Sequence, residues 1–237
     1  MKRFIKKLLA LALVGVLSVP AWAQSRLLPV YGVNRDDNKI SISFDAAWGN
    51  EDTQKLIDIL AAHGIKVTFF VVGQWARKYP ESVKALAEAG HEIMNHSDTH
   101  PYLTHLSPAQ IKSEISGCNK SVAEVTGVEP TLIRVPYGDY DNKVIEAVNQ
   151  MGMTAVQWDV DSLDWKELLP EEIFRRVTSS VHSGSIVLFH NAAKYTPDAL
   201  DSILCWFEQN NYQVVPISQL LLTGDYTIDQ NGVQNPA

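Results

Sequence analysis

Five apolar runs in this chain each end in a side chain that can move a proton or hold a cation. Asp45 follows Ile-Ser-Ile-Ser-Phe, His96 and His100 follow His-Glu-Ile-Met-Asn, Arg134 follows Thr-Leu-Ile, Asp164 ends the stretch that starts at Thr154, and His190 follows Ser-Ile-Val-Leu-Phe. Buried strands that deliver reactive side chains at their ends are how a parallel α/β barrel builds an active site. The set therefore implies hydrolytic chemistry at a barrel mouth.

The spacing within each cluster narrows that chemistry. His96-Ser97-Asp98-Thr99-His100 sets two imidazoles four residues apart directly after a strand, close enough to share one divalent ion if the segment makes a helical turn. Such a pair also occurs as a surface or packing feature. An unpaired Asp45 carboxylate is expensive to bury, so it reaches a cation or does acid–base work. Arg134 is its candidate partner, holding it ionised and oriented, and a structural ion pair at the barrel mouth is the plainer alternative. Asp164 and His190 form a second candidate pair, because a carboxylate on an imidazole raises its basicity and fixes its tautomer. His91 and His105 lack such geometry and are read as structural.

The elements that must position these residues follow a strand–helix alternation. Strands are expected at Lys39–Phe44, Lys66–Val72, His91–Met94, Thr131–Arg134, Thr154–Gln157, Ser185–Phe189 and Tyr212–Val215. Helices are expected at Asp52–His63, Pro80–Ala89, from Ser107-Pro108 to Thr126, and at Asn142–Met151, Pro170–His182 and Pro197–Gln209, with proline just inside starts and glycine just past ends. Seven strands with intervening helices and no linker predict one α/β domain, a distorted (β/α)7 barrel of TIM-like kind. An open doubly wound sheet fits the alternation as well, but concentrates its site at one switch point. An extended segment over residues 24–38 precedes the domain (39–222), and a polar, irregular tail (223–237) follows it.

Composition is that of a globular protein, with 46% hydrophobic and 20% charged residues. Lys2, Arg3, Lys6 and Lys7 precede an apolar stretch from Leu8 to Val16 and then Ala21-Trp22-Ala23, which reads as an export signal over residues 1–23. An uncleaved anchor is the alternative, so any membrane association runs through the N-terminus only. Losing the signal's four basic side chains takes the formal charge from −7 to −11. Such a surface repels polyanions, which argues against nucleic acid as a partner and accommodates a neutral or amino-bearing cell-wall glycan. The chain is read as a monomer. Cys118 and Cys205 sit on separate expected helices, and two buried free thiols are favoured over a bridge. No His or Lys adjoins either in sequence to favour a thiolate.

In their order, the segments resemble the polysaccharide deacetylases with NodB homology, carbohydrate esterase family four, from about Lys39 to Leu222. The five motifs stand here as Ser43-Phe44-Asp45-Ala46-Ala47-Trp48-Gly49, His96-Ser97-Asp98-Thr99-His100, Arg134-Val135-Pro136-Tyr137-Gly138, Asp161-Ser162-Leu163-Asp164-Trp165 and Ile186-Val187-Leu188-Phe189-His190. Their wording is similar to the exported, sporulation-associated branch. The resemblance implies removal of N-acetyl groups from an amino-sugar polysaccharide such as peptidoglycan, with a divalent metal, zinc or cobalt, on His96 and His100. It implies Asp45 as base, Arg134 as its positioner, the Tyr137 N–H as oxyanion donor, His190 as acid tuned by Asp164, and Trp165 and Leu188 around the acetyl methyl.

One departure stands out: the family's first motif carries two consecutive aspartates, base then metal ligand, and the second position here is Ala46. Asp45 can swing to the metal, Glu51 or Asp52 can reach back, or water can fill the site. Val135 replaces the usual first proline of the third motif. Ala46 keeps open a second function, a catalytically weak glycan-binding pseudoenzyme.

Overall fold

The computed structural model describes residues 26–237, so the export signal expected over residues 1–23 lies outside the described residues. The strands are β1 (Gly32–Val33), β2 (Lys39–Ala46), β3 (Thr68–Val71), β4 (Glu92–Asn95), β5 (Leu132–Ile133), β6 (Thr154–Ala155), β7 (Val160–Asp161), β8 (Ile186–His190), β9 (Gln213–Val214), β10 (Tyr226–Ile228) and β11 (Val233–Pro236). The helices are α1 (Thr53–Ala62), α2 (Gly73–Lys78), α3 (Pro80–Glu88), α4 (Pro108–Thr126), α5 (Asn142–Gln150), α6 (Pro170–Thr178), α7 (Thr196–Gln209) and α8 (Ile217–Leu220).

The main sheet is parallel and runs in the order β6-β5-β4-β3-β2-β8-β7, with β9 also paired to β2. Its two ends are consecutive parts of one chain segment: β6 pairs with β5, and four residues later β7 pairs with β8. That shared segment curls the sheet into the expected distorted barrel. Bridges from Val30 to Val156 and from Gly32 to Ser185 lie along the seam.

Alternation along β2 decides what faces the site. Ile40, Ile42, Phe44 and Ala46 join the large hydrophobic cluster under the helices, with Phe44 stacked between Phe69 of β3 and Phe189 of β8 at centroid distances of 4.8 and 5.6 Å. Successive strand residues point to opposite faces, so Ser41, Ser43 and Asp45 turn inward. The Ser41 and Ser43 hydroxyls donate to the carbonyls of Val215 and Val187, and Asp45, at the strand's end, is left to the barrel mouth.

Helix α2 has no counterpart among the expected elements. It forms where β3 passes close to the loop after β4: a Cβ on Gly73 would lie 2.2 Å from an Asp98 oxygen and 3.0 Å from the Cys118 Cα, so only glycine fits. The Gly73 and Gln74 N–H groups donate to the carbonyls of Ser97 and Asp98, which seats the histidine loop on the start of this helix. The tail is more ordered than its polar composition suggests. Its strands β10 and β11 pair antiparallel, and β11 adds to β1 in a small separate sheet. The buried Gln234 side chain ties it down by accepting from the Leu222 N–H. Among the described residues no helix is long and apolar enough to cross a membrane.

Candidate active site

The C-terminal ends of β2, β4, β5 and β8 and the 3₁₀ turn at Asp164–Lys166 surround a cavity of about 640 Å³. Eight of the nine residues singled out from sequence line it: Asp45, His96, His100, Tyr137, Asp164, Trp165, Leu188 and His190. The ninth, Arg134, has no exposed surface and lies behind Asp45.

Arg134 organises one side. Its Nη1 donates to Asp45 Oδ1 at 2.8 Å and its Nη2 to the Gln157 carbonyl at 3.0 Å. Its own carbonyl accepts from His96 Nδ1 at 2.7 Å. One residue thereby holds the carboxylate and fixes the His96 tautomer, leaving the Nε2 lone pair facing the cavity. The guanidinium sits 4.3 Å from the Phe70 ring centroid and 5.5 Å from that of Trp158, cation–π contacts that compensate part of its lost hydration. Burial works against the Asp45 charge, but His96 and Arg134 beside it outweigh burial and hold the carboxyl below its usual range.

The two metal-candidate histidines do meet, though not through a helical turn. Ser97 and His100 both adopt left-handed φ, 64° and 61°, and the Ser97 hydroxyl accepts from the His100 N–H at 3.0 Å. This folded-back loop brings the two Nε2 atoms to 3.2 Å. Two nitrogens bound to one tetrahedral zinc at ~2.05 Å stand about 3.3 Å apart, so the pair fits a shared ion. Burial lowers both histidines from their ordinary values, His100 to about 4, which keeps them in the neutral form a metal requires. Asp45 Oδ2 lies 3.5 Å from His96 Nε2, yet no acidic oxygen among the described residues falls within 4.8 Å of both imidazoles. Ala46 is fully buried in the hydrophobic cluster, and Asp52 is turned away to accept from the Ala192 N–H. The histidine pair therefore lacks a carboxylate that stands ready as a third ligand.

The other side is saturated. Asp164 Oδ1 accepts from His190 Nδ1 at 2.7 Å and from the Trp165 N–H at 2.9 Å. Its Oδ2 accepts from the His190 N–H at 2.8 Å and the Thr196 hydroxyl at 2.6 Å. Burial pulls the His190 imidazole down, but the Asp164 bond and charge outweigh it and leave its pKa raised. With Nδ1 committed to Asp164, Nε2 is the ring's remaining site.

Backbone strain gathers here. Tyr137 has φ 61° and ψ 6°, and Leu163, Glu167 and Ala192 are also left-handed. Such residues cost on the order of 1–3 kcal/mol each and persist where the surroundings over-determine them. Tyr137 lies 4.6 Å from the His100 ring and stacks on Tyr102 at 4.1 Å, giving the mouth an aromatic rim completed by the half-exposed Trp48 and Trp165.

Three contributors carried no sequence signal strong enough to find them. Trp48 stands 6.1 Å from His100 and 6.0 Å from His190, spanning both sides. Asn191 accepts from the Ala47 N–H and donates to the Gly49 carbonyl, lacing together the loops after β2 and β8. Thr196, at the start of α7, reaches Asp164 from 32 residues away.

The profile described as "Polysaccharide deacetylase" matches residues 32–156. The peptidoglycan-N-acetylglucosamine deacetylase PgdA of Listeria monocytogenes is 33% identical over 186 residues, covering 78% of this chain and 39% of that one. The peptidoglycan-N-acetylmuramic acid deacetylase PdaA of Bacillus subtilis is 30% identical over 192 residues, covering 79% and 73%. Among solved structures, BA3943 of Bacillus anthracis, described as a CE4 family pseudoenzyme, superposes with a TM-score of 0.79 at 30% identity, covering 81% and 68% of the two chains. A mutant of BA3943 is described as having restored enzymatic activity. The chain spans 60% of the length of one of its curated relatives and 39% of another.

Proposed function

This chain belongs to the polysaccharide deacetylase family, and from that premise we propose that it removes N-acetyl groups from the amino sugars of peptidoglycan, outside the cytoplasm, in cell-wall or spore-wall modification. The observation that carries the proposal is the convergence of the Asp45–Arg134 pair and the His96–His100 pair with the Asp164–His190 pair on one cavity. A base on one side and an acid on the other are what hydrolysis of an unreactive amide requires.

The two histidines would hold a divalent ion, zinc or cobalt, which supplies Lewis acidity toward the acetamide oxygen and lowers the pKa of water from 15.7 toward about 7. Asp45, ionised and aimed by Arg134, takes a proton from the attacking water. The Tyr137 N–H donates to the oxygen that gains charge at the acetyl carbon. His190 passes its proton to the departing sugar amine as the C–N bond breaks, so acetate and a free amine result. Asp164 keeps the His190 ring in register, while Trp165 and Leu188 enclose the acetyl methyl.

Ala46 and the likeness to a described pseudoenzyme support a second reading, a glycan-binding protein of weak activity. Acetate release from peptidoglycan and from N-acetylglucosamine oligomers, with added zinc or cobalt, separates the two. The deacetylase reading expects turnover that His190→Ala abolishes; equal silence of both proteins with glycan binding retained leaves only the binding function.

A further inference from the structure

A second cluster of possible ligands, with one histidine, lies at the far end of α1 from the pocket. The start of this helix, at Asp52, contacts Ala192 at the pocket edge, and its ten residues span about 15 Å at ~1.5 Å per residue. His63 follows its last residue, with a side chain only 10% exposed. Across from it, α7 presents Asp201, Cys205 and Glu208, spaced four and three residues apart and so on one helix face. His63 Nε2 lies 3.1 Å from Asp201 Oδ1, and its Nδ1 lies 2.8 Å from Glu208 Oε1. Ligand atoms of His63, Asp201 and Cys205 all fall within 4.8 Å of one another, the one such group of three among the described residues.

We infer that His63, Asp201 and Cys205 form a binding site for a thiophilic divalent ion such as zinc, with Glu208 orienting the histidine. Three features of the arrangement carry this. The donors are one nitrogen, one carboxylate oxygen and one sulfur, a set that suits zinc or cobalt and disfavours magnesium and calcium, which take oxygen ligands. The 3.1 Å between Nε2 and Oδ1 is close to the ligand–ligand edge of a zinc tetrahedron with bonds near 2.0–2.2 Å, and the Cys205 sulfur belongs to the same group, within 4.8 Å of a ring nitrogen and a carboxylate oxygen. The carboxylate on the opposite ring nitrogen is the partner a metal-bound histidine ordinarily has, since it fixes the tautomer that offers Nε2.

Binding exchanges the thiol proton of Cys205, and any proton on His63 Nε2, for bonds to the ion, while the Nδ1–H bond to Glu208 is kept. Asp201 and Glu208 are 64% and 54% exposed, so a fourth position is open to water. The ion joins the end of α1 to the middle of α7 and stabilises their packing by mass action. Cys118 is no competitor, because burial pushes its thiol up to about 12.

The test uses the full chain carrying His96→Ala and His100→Ala, which removes the pocket pair. Titration with cobalt is expected to give a single equivalent with a thiolate-to-cobalt charge-transfer band, and zinc is expected to displace it and raise Tm. Cys205→Ser should remove the band, and Glu208→Gln should weaken binding by about 10–100-fold, as loss of such a partner does elsewhere. Asp201→Asn changes an exposed side chain and keeps the fold, so it is the second ligand variant, and it should also weaken binding. Absence of the band, its survival in Cys205→Ser, or unchanged affinity in Asp201→Asn would overturn the assignment and leave His63 as an ion-paired helix end.

Discussion

On one side of the pocket the Asp164 carboxylate receives four hydrogen bonds and holds His190 by both its ring and its backbone. On the other, among the described residues, the Asp45 carboxylate receives one hydrogen bond, from Arg134, and the imidazole pair shares no acidic ligand. The side assigned to proton donation is fully hydrogen-bonded in the folded chain, whereas on the side assigned to the ion the histidines are brought together and, among the described residues, no carboxylate completes them. On the proposed mechanism the difference locates the limit of activity: the donor to the leaving group is held in place, and the site for the ion is the part that Ala46, buried in the hydrophobic cluster, leaves without a second carboxylate.

The sharpest way to break this contrast is at its complete side. His190→Ala removes a positioned acid and is expected to lower kcat by about 10²–10⁴-fold with KM little changed, measured as acetate release. A loss of less than tenfold would mean that another group protonates the amine. The pH profile sharpens the same point. In the proposed mechanism His190 acts protonated, and its pKa is raised by Asp164, so its contribution is expected to be full at lower pH and to fall as pH rises through that value. Asp164→Asn removes the charge that raises it, and the alkaline limb of kcat against pH should move to lower pH; an unmoved limb would assign it to a different group.

Next in size is Arg134→Ala, which leaves the Asp45 carboxylate buried without its cation. Breaking a buried pair from one side costs about 3–5 kcal/mol, to be read by urea denaturation. A cost below about 1 kcal/mol would show that the Asp45 side tolerates an unpaired charge and is wetter than its burial indicates. Thr196→Val removes a single bond to the buried Asp164 carboxylate and should cost about 1.5–3 kcal/mol. Because the other three donors remain, the alkaline limb is expected to stay nearly in place.

The smallest effect tests the incomplete side. In protein carrying Cys205→Ser, Ala46→Asp is expected to tighten zinc binding by about tenfold, some 1.4 kcal/mol, measured by calorimetry. Ala46 packs in the hydrophobic cluster, so the new carboxylate must reach the histidines or be buried among apolar side chains. Unchanged affinity with lowered stability would show the second outcome and end the account of Ala46 as a lost ligand.

Much of this was legible in the chain because strand ends announce themselves locally. Apolar runs stopped by Asp45, Arg134 and His190 place those residues at the ends of β2, β5 and β8, and period two puts Asp45 and Phe44 on opposite faces. The alternation of strands and helices was equally visible. Less legible were α2, where Gly73 passes against Asp98 and the Cys118 backbone, and the tail, whose polar residues are held by strand pairing with each other and with β1 and by the Gln234 side chain. The histidine pair was found by spacing, but the fold-back that joins it depends on left-handed residues that spacing does not reveal.

The sequence by itself determined which side chains stand at strand ends and what chemistry their types allow, because hydrophobic periodicity is a local property. Only the tertiary structure decided which of them touch: Thr196 on Asp164, Asn191 between two loops, the Arg134 carbonyl on His96, and His63 beside a cysteine that has no histidine near it in the chain. Those contacts join residues 32, 144, 38 and 142 positions apart, and a pairing of that range is set by how strands and helices close around a common core.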